Sequence, residues 1–214
     1  PIRRFTQVSV AAHSLYEKSD PLSLPGPGGV LDLSHVTYRE LDQGRVRVQG
    51  SRFVADAIYR IKLEAARLTG YRTISIAGVR DPGLIAGLDD VLEKVTQQCL
   101  PMIDPEAKIH FHVYGRNGVM GSWEPQPHPG HELGLVLEVM APQQALADNA
   151  CALLRSTLLH YGFPGRLTTA GNLAFPYSPS DVSVGAAYEF SLYHLMAVAD
   201  PKAHFPLSCL EIHP

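Results

Sequence analysis

The sequence has 214 residues, of which 45% are hydrophobic and 18% are charged. This length and composition are typical of one large globular domain, or of a compact domain with an extended arm, and they exclude a mostly disordered chain. The formal net charge is -3, and no run of Lys and Arg offers a surface for phosphates. The sequence therefore argues against nucleic acid as a partner.

The sequence also predicts a cytoplasmic protein without a membrane segment. No stretch approaches the roughly 18 apolar residues that cross a bilayer, and the N-terminus lacks the order of a signal peptide. Cys99, Cys151 and Cys209 are too few and too scattered for a disulfide framework, so we expect them to be reduced and mostly buried. The chain starts at Pro1, which predicts a fragment or a processed subunit; removal of an initiator methionine is the alternative.

The N-terminal quarter is predicted to be an arm followed by a hairpin. Proline and glycine in residues 24–29 disfavour helix and strand, so residues 1 to about 34 are expected to form an extended arm. Residues 36–41 and 45–48 alternate like strands around a turn at 42–44. We predict an arm and hairpin over residues 1–52, which pack on the domain or on a partner, and an α+β domain over residues 53–214.

The rest of the chain predicts alternating strands and helices. Strands are expected at residues 71–77, 108–114, 132–140 and 187–195, with helices from Pro82 to about 99 and from Pro142 to about 161. Asp81 is expected to cap the first helix. The order β-α-β-β-α-β predicts a ferredoxin-like split βαβ fold, an antiparallel sheet with two helices on one face. Residues 59–68 fit either one more strand or a helix.

Two loops rich in glycine and proline, residues 114–132 and 164–181, carry the candidate substrate-binding residues. Each has an arginine, Arg116 or Arg166, and a guanidinium matches a carboxylate or phosphate with two parallel hydrogen bonds. Asn117 and Thr169 are the neighbouring polar candidates. In the alternative interpretation, each arginine only tethers its loop through backbone carbonyls.

His131, Glu132 and Asn172 are the candidate catalytic residues. An imidazole or a carboxylate can move a proton near neutral pH, and an amide can hold a developing oxyanion. Because adjacent residues of a strand point to opposite faces, one of His131 and Glu132 is expected to face the site.

A metal site is a further alternative. His110 and His112 share a strand face, and a closing loop could bring His128 and His131 to them, which suggests zinc or another divalent ion. Strand histidines more often pack with satisfied nitrogens, so no residue is assigned as a ligand and no cofactor is expected.

The last predicted strand separates two kinds of side chain. Tyr188, Phe190 and Leu192 share one face, which we expect to join an aromatic core, whereas Glu189 lies on the other. If that second face is covered, Glu189 needs a partner such as an arginine; otherwise it is solvated.

Several long motifs, in order along nearly the whole chain, resemble the acyclic terpene utilisation protein A family. They occupy residues 11–21, 25–38, 50–53, 78–82, 112–121, 130–134, 164–176 and 188–195. Members of that family carry a preceding α/β domain, so the resemblance implies that this chain is the C-terminal portion or a separate subunit. It also implies a role in the bacterial breakdown of terpenoid and other branched carboxylic acids.

The leading hypothesis is a lyase-type step, the hydration or dehydration of a hydroxy or unsaturated carboxylic acid or of its CoA thioester. The expected partners are that small acid or acyl-CoA, the missing N-terminal domain or subunit, and further copies in a homo- or hetero-oligomer. A non-catalytic assembly module is the first alternative, and a metal-dependent hydrolase is the second.

Overall fold

The computed structural model describes residues 3–16, 18–126 and 128–211. Pro1, Ile2 and Glu17 of the predicted arm and Pro127 of the first loop lie outside these residues. The chain divides into two compact units, one formed by residues 1–65 with 190–214 and the other by residues 66–189. The predicted mixed α+β class with antiparallel strands is confirmed.

The elements follow one another in this order: α1 (Gln7–His13), β1 (Ser23–Gly26), β2 (Gly29–Asp32), β3 (Thr37–Glu40), β4 (Val46–Gln49), β5 (Arg52–Ala55), β6 (Arg60–Val79), α2 (Pro82–Ala86), α3 (Leu88–Cys99), β7 (Lys108–Tyr114), β8 (Leu133–Ala141), α4 (Gln144–His160), β9 (Asp181–Ala197) and α5 (Pro201–His204).

The expectation of an arm without regular structure is wrong. Helix α1 forms because Thr6 and Ser9 make a reciprocal capping box, in which each side chain accepts from the other's backbone N–H. Strands β1, β2 and β5 form an antiparallel sheet. Gly29 permits this pairing, since its φ is 153° and a Cβ there would lie 2.2 Å from the carbonyl oxygen of Val54.

The hairpin at residues 36–48 is confirmed, because β3 and β4 pair antiparallel around the short 3₁₀ turn Asp42–Gly44. Of the two predictions for residues 59–68, the strand is confirmed for residues 60–68 and the helix is wrong. The strand is not a separate one, because these residues belong to β6, a single strand of 20 residues that runs on through the predicted strand at 71–77. Gly70 lies inside this strand with a φ of 143°, and the strand continues through it.

The unit of residues 66–189 is built on a sheet with the strand order β7-β8-β6-β9. Strand β8 pairs antiparallel with both β6 and β7. Thr69 Oγ1 donates to the carbonyl of Ala187 at 3.0 Å and Ser75 Oγ donates to that of Ser180 at 3.1 Å. In these contacts, a higher residue number in β6 is matched by a lower residue number in or just before β9. The two strands are therefore antiparallel as well.

Helices α2, α3 and α4 cover one face of this sheet. Asp81 caps α2 as predicted, since its side chain accepts from the backbone N–H of Leu84 at 2.9 Å. Pro142 does not open α4, which begins two residues later. The core consists of buried aliphatic side chains from α3, α4 and alternate positions of β8, including Leu88, Val95, Leu135, Val139, Leu154 and Leu158.

A polar cluster joins α4 to two strands of the sheet. Asp148 of α4 accepts hydrogen bonds from Thr73 at 2.5 Å, from Ser183 at 2.8 Å and from Gln144 at 2.9 Å. The hydrogen bond from Thr73, followed by those from Ser183 and Gln144, outweighs burial and lowers the pKa of Asp148. The cluster anchors the start of β9 against α4.

The prediction that the cysteines are reduced and mostly buried is confirmed. Cys99 and Cys151 are buried and reduced, whereas Cys209 is exposed. Burial raises the pKa of the Cys151 thiol to about 12, which removes it as a nucleophile. In the described part of the chain, no helix is both long and apolar enough to span a membrane.

The last strand begins earlier than predicted and is not part of an aromatic core. It starts at Asp181, inside the predicted loop. Tyr188 and Phe190 are 65% and 64% exposed, which contradicts the expectation that they are core residues. Glu189 forms an ion pair with Arg67, as predicted for a covered face. Both side chains are nevertheless largely exposed, as predicted for a solvated face.

Candidate functional site

The first glycine-rich loop begins where β7 ends and is closed at its base by backbone contacts. The N–H groups of Asn117 and Gly118 both donate to the carbonyl of Val113, and Gly130 donates to that of Gly115 at 2.7 Å. A Cβ on Gly118 would lie 2.9 Å from the backbone of Val113, so only glycine fits there. These contacts hold the loop in a defined shape.

This loop encloses an open groove of about 340 Å³. Its polar lining includes Arg116, Glu124, Gln126 and His128. Arg116 is largely buried and forms an ion pair with the exposed carboxylate of Asp89 at the start of α3. The groove therefore has a cationic group whose present partner is a solvent-facing carboxylate, which a substrate carboxylate could replace.

The other predicted residues of this loop lie beside the groove. His131, Glu132 and Asn117 are exposed. The carbonyl of Glu132 lies alongside Gly115, where a Cβ would approach it to 3.0 Å. The structure thus brings His131 and Glu132 to the base of the same loop as Arg116. Among the residues that the structure describes, neither side chain has a hydrogen bond that would orient it for proton transfer.

The second loop is tied down by its own arginine. Arg166 donates to the carbonyl of His160 at 2.7 Å and to that of Thr169. His160 Nδ1 also lies 3.0 Å from the Thr169 carbonyl. These contacts match the alternative in which the arginine tethers its loop, and they leave the two predicted arginines in different environments.

Asn172 is a buried structural contact at the end of α4. It is 3% exposed, and its Nδ2 donates to the carbonyls of Leu158 and Tyr161, each at 2.8 Å. Both hydrogens of the amide are therefore used, and none remains to stabilise an oxyanion. In this conformation Asn172 closes the last turn of α4.

A second polar group lies on the face of the sheet that the helices leave uncovered. Glu138 of β8 is 2.8 Å from His112 Nε2 and 2.7 Å from Arg72 Nε. The Arg72 contact is close enough for an ion pair but lacks hydrogen-bond geometry. The His110 ring lies edge-on to that of His112 at 4.3 Å between centroids. These four side chains are called the His112–Glu138 cluster below.

The environment of Glu138 favours its charged form. Burial raises the pKa of Glu138, but the hydrogen bond from His112 and the charge of Arg72 lower it by more, so its pKa lies below the usual range. At neutral pH Glu138 is therefore a carboxylate that accepts the N–H of His112 Nε2. In the tautomer that donates Nε2–H to Glu138, Nδ1 is the acceptor nitrogen of the His112 ring.

This pKa shift gives a pH-dependent prediction. A depressed folded-state pKa contributes stability above the unfolded pKa of about 4.3, and that contribution is lost as pH falls through the folded-state pKa. His112→Phe removes the hydrogen bond but not the burial, so the pKa of Glu138 should rise. A ¹³C NMR titration of the Glu138 carboxyl measures it. His110→Phe is the matched control and should leave it unchanged, and an unshifted pKa in His112→Phe would contradict the assignment.

The predicted metal alternative finds no support in the described residues. Across residues 3–16, 18–126 and 128–211, no group of three or more His, Cys, Asp or Glu side chains could hold a metal ion. His110 and His112 are neighbours as predicted, but the partner of His112 is a carboxylate with an arginine behind it. That arrangement suits proton transfer better than metal binding, because the guanidinium repels a cation.

Sequence reasoning missed Glu138 and Arg72. The sequence does contain a signal for them. Each is a charged residue in a strand whose alternate residues are buried, and each lies on the face that points away from the helices. Such a residue usually faces solvent, so its contact with His112 depends on the strand register, which pairs His110 with Glu138 and Arg72 with Met140.

The fold and the site define an α+β protein with an oriented histidine–carboxylate pair on the helix-free face of an antiparallel sheet. The family model described as acyclic terpene utilisation family protein AtuA matches residues 4–178. The chain therefore belongs to that family, as its motifs indicate. No curated protein and no solved structure matches it.

Proposed function

We propose that this chain supplies the proton-transfer group of a lyase-type enzyme in acid catabolism. The reaction is the hydration or dehydration of a hydroxy or unsaturated carboxylic acid, or of its CoA thioester. The observation that carries the proposal is the contact of His112 with Glu138, which is itself backed by Arg72. Membership of a family named for terpene utilisation supports the catabolic setting.

The chemistry balances without a redox partner. In dehydration, His112 Nδ1 takes a proton from the carbon beside the substrate carboxyl or thioester, and Glu138 stabilises the imidazolium that forms. The electron pair of the C–H bond forms the C=C bond as hydroxide leaves. A proton from His131 or Glu132, both exposed, completes the departing water. Hydration is the same sequence in reverse.

Arg116 is the proposed group for an acidic part of the substrate that lies away from the reacting carbon, because His112 is not among the described residues that line its groove. Arg116 lines an open groove that a ligand can enter, and its ion-pair partner is the exposed Asp89. In contrast, two guanidinium nitrogens of Arg166 donate to backbone carbonyls. Asn117 is an additional polar contact in the same loop. Arg166 and Thr169 would then act on binding only through the shape of their loop.

Arg116→Ala should raise KM about tenfold to a hundredfold, because a charge-assisted hydrogen bond is lost. Asp89→Asn should leave KM unchanged or lower it, since it frees the guanidinium. Steady-state kinetics of the complete protein measures both, and Arg45→Ala, which removes the exposed pair with Asp42, is the control. Unchanged kinetics in both Arg116→Ala and Arg166→Ala would exclude the proposed acid-binding role of these loops.

A non-catalytic assembly module is the second candidate, and one observation favours it. In the described part of the unit of residues 1–65 with 190–214, the buried hydrophobic side chains are Ile61 and Val198, whereas large ones such as Phe53, Tyr59 and Tyr193 are more than half exposed. A unit with so little core needs a partner. An assembly module would tolerate Glu132→Gln and Glu138→Gln with no loss of turnover, provided that the assembly stays intact.

We also propose that residues 66–189 form a ferredoxin-like fold. The order β7-β8-β6-β9 places the unit's second, third, first and fourth strands side by side, which supports a split βαβ arrangement. Cys99 of α3 contacts Thr157 of α4 at 3.4 Å, so the two helices share a face. An experimental structure with these helices on opposite faces would exclude this fold.

A further inference from the structure

Strand β9 is the outer strand of its sheet and is long for such a position. It has 17 residues, and β6 is its one neighbouring strand within the described ranges. Outer strands leave a row of backbone N–H and C=O groups without ladder partners. Natural proteins protect such edges with lysine, proline or charged side chains, because an unprotected edge pairs with another chain.

Strand β9 lacks these protective features. It contains no Lys, Arg or Pro, and its two acidic residues are already paired, Asp181 with Arg155 and Glu189 with Arg67. Exposed apolar side chains lie along it instead: Tyr188, Phe190, Leu192 and Tyr193. Apart from these two paired acids, the strand therefore carries only apolar side chains and neutral or weakly basic polar ones.

Other edges of the same chain provide a comparison. The stretch of β6 before Gly70 has no pairing with β8 and carries Arg60, Lys62, Glu64 and Arg67. Strand β7, at the opposite edge of the sheet, begins with Lys108 and is only 7 residues long. Protection by charge or by short length is thus used at these edges and is missing from β9, which indicates that the β9 edge is occupied in the native protein.

We propose that β9 pairs antiparallel with β9 of a second copy of this chain, about a two-fold axis. Because both acids of β9 are paired within their own chain, the partner strand needs no complementary charge, and the exposed apolar side chains of β9 suit a partner strand with exposed apolar side chains. The same strand of a second copy has these properties. An isologous contact of this kind is closed and leaves no β9 edge free.

The first test is the oligomeric state of the complete protein by native mass spectrometry. The expected result is a dimer that becomes a monomer when Phe190→Lys and Leu192→Lys are combined, since the two-fold axis brings the new charges of the two copies together. Leu207→Lys, at a residue that is 83% exposed and outside the strand, is the control and should stay dimeric. Circular dichroism establishes that each variant is folded.

The second test does not depend on how well those variants fold. In a Cys209→Ser background, single cysteines replace Ala186, Tyr188, Phe190 or Leu192, and the yield of inter-chain disulfide is measured. Antiparallel pairing about an axis predicts one position of maximal yield, with lower yields on both sides. A wild-type monomer, a dimer unchanged by the double lysine variant, assembly only with a different protein, or equal yields at all four positions would each overturn the proposal.

Discussion

His112→Gln should reduce the turnover of the complete protein by about 10²–10⁴-fold, the usual contribution of a general acid or base. Glutamine can still donate a hydrogen bond to Glu138, so the pair of carboxylate and donor survives while the proton acceptor is lost. The expected change is therefore in kcat, with KM little affected, and steady-state kinetics measures it.

Two further variants separate catalysis from packing. Glu138→Gln should lower kcat as well, because the imidazolium loses the carboxylate that stabilises it. His110→Gln is the matched control, because His110 lies beside His112 and opposite Glu138 but, among the described residues, has no hydrogen bond or ion pair with that carboxylate. It should keep most of the activity. If His112→Gln and His110→Gln lower turnover equally, the cluster is structural and not catalytic.

Asn172→Leu should destabilise the protein by about 1–3 kcal/mol, the cost of an unsatisfied buried group, because the carbonyl of Tyr161 loses its side-chain donor while that of Leu158 keeps the N–H of Tyr161. Turnover of the folded protein should stay unchanged, since both amide hydrogens are used within the fold. Chemical denaturation measures the free energy of unfolding.

The control for this change is Asn117→Leu at an exposed position, which should alter stability by no more than about 0.5 kcal/mol. The opposite pattern, with normal stability and lost turnover in Asn172→Leu, would restore the oxyanion role that its sequence position suggests.

The sequence predicts elements well where local signals agree. Helix α2 begins with Asp81 followed by Pro82, and the buried positions of α3 recur with helical spacing. Strand β8 alternates between buried and partly exposed residues over its whole length. In each case the capping or the periodicity lies within about ten residues of sequence, so no tertiary information is needed.

The prediction missed α1 although its capping box is local, and it also fails where the pairing partners of strands are distant. Prolines and glycines in residues 24–29 indicate a loop, but β2 pairs with β5, whose residues lie 20 to 26 positions later in the chain. Inside β6, Gly70 resembles a break, yet its glycine backbone passes close to Ala141, where a Cβ would lie 2.7 Å from the carbonyl oxygen. Glycine marks a close approach between two strands at this point. The sequence alone does not distinguish such a glycine from one that breaks a strand.

The site is predictable to a smaller extent than the fold. Arg116 follows from its glycine-rich context, and the neighbouring positions of His110 and His112 follow from strand alternation. The contact of His112 with Glu138 depends on the register of β7 against β8, which the sequence leaves open. A shift of one residue would move Glu138 to the helix-covered face.

The most direct test of the proposed proton transfer is deuterium exchange in D₂O. The complete protein is incubated with branched hydroxy and unsaturated carboxylic acids and their CoA thioesters, and mass spectrometry records deuterium uptake and the gain or loss of water. We expect exchange at the carbon beside the carboxyl or thioester in the wild type and in His110→Gln, with at least a hundredfold less in His112→Gln. Equal exchange in His112→Gln and the wild type would contradict the assignment of His112 as the proton acceptor.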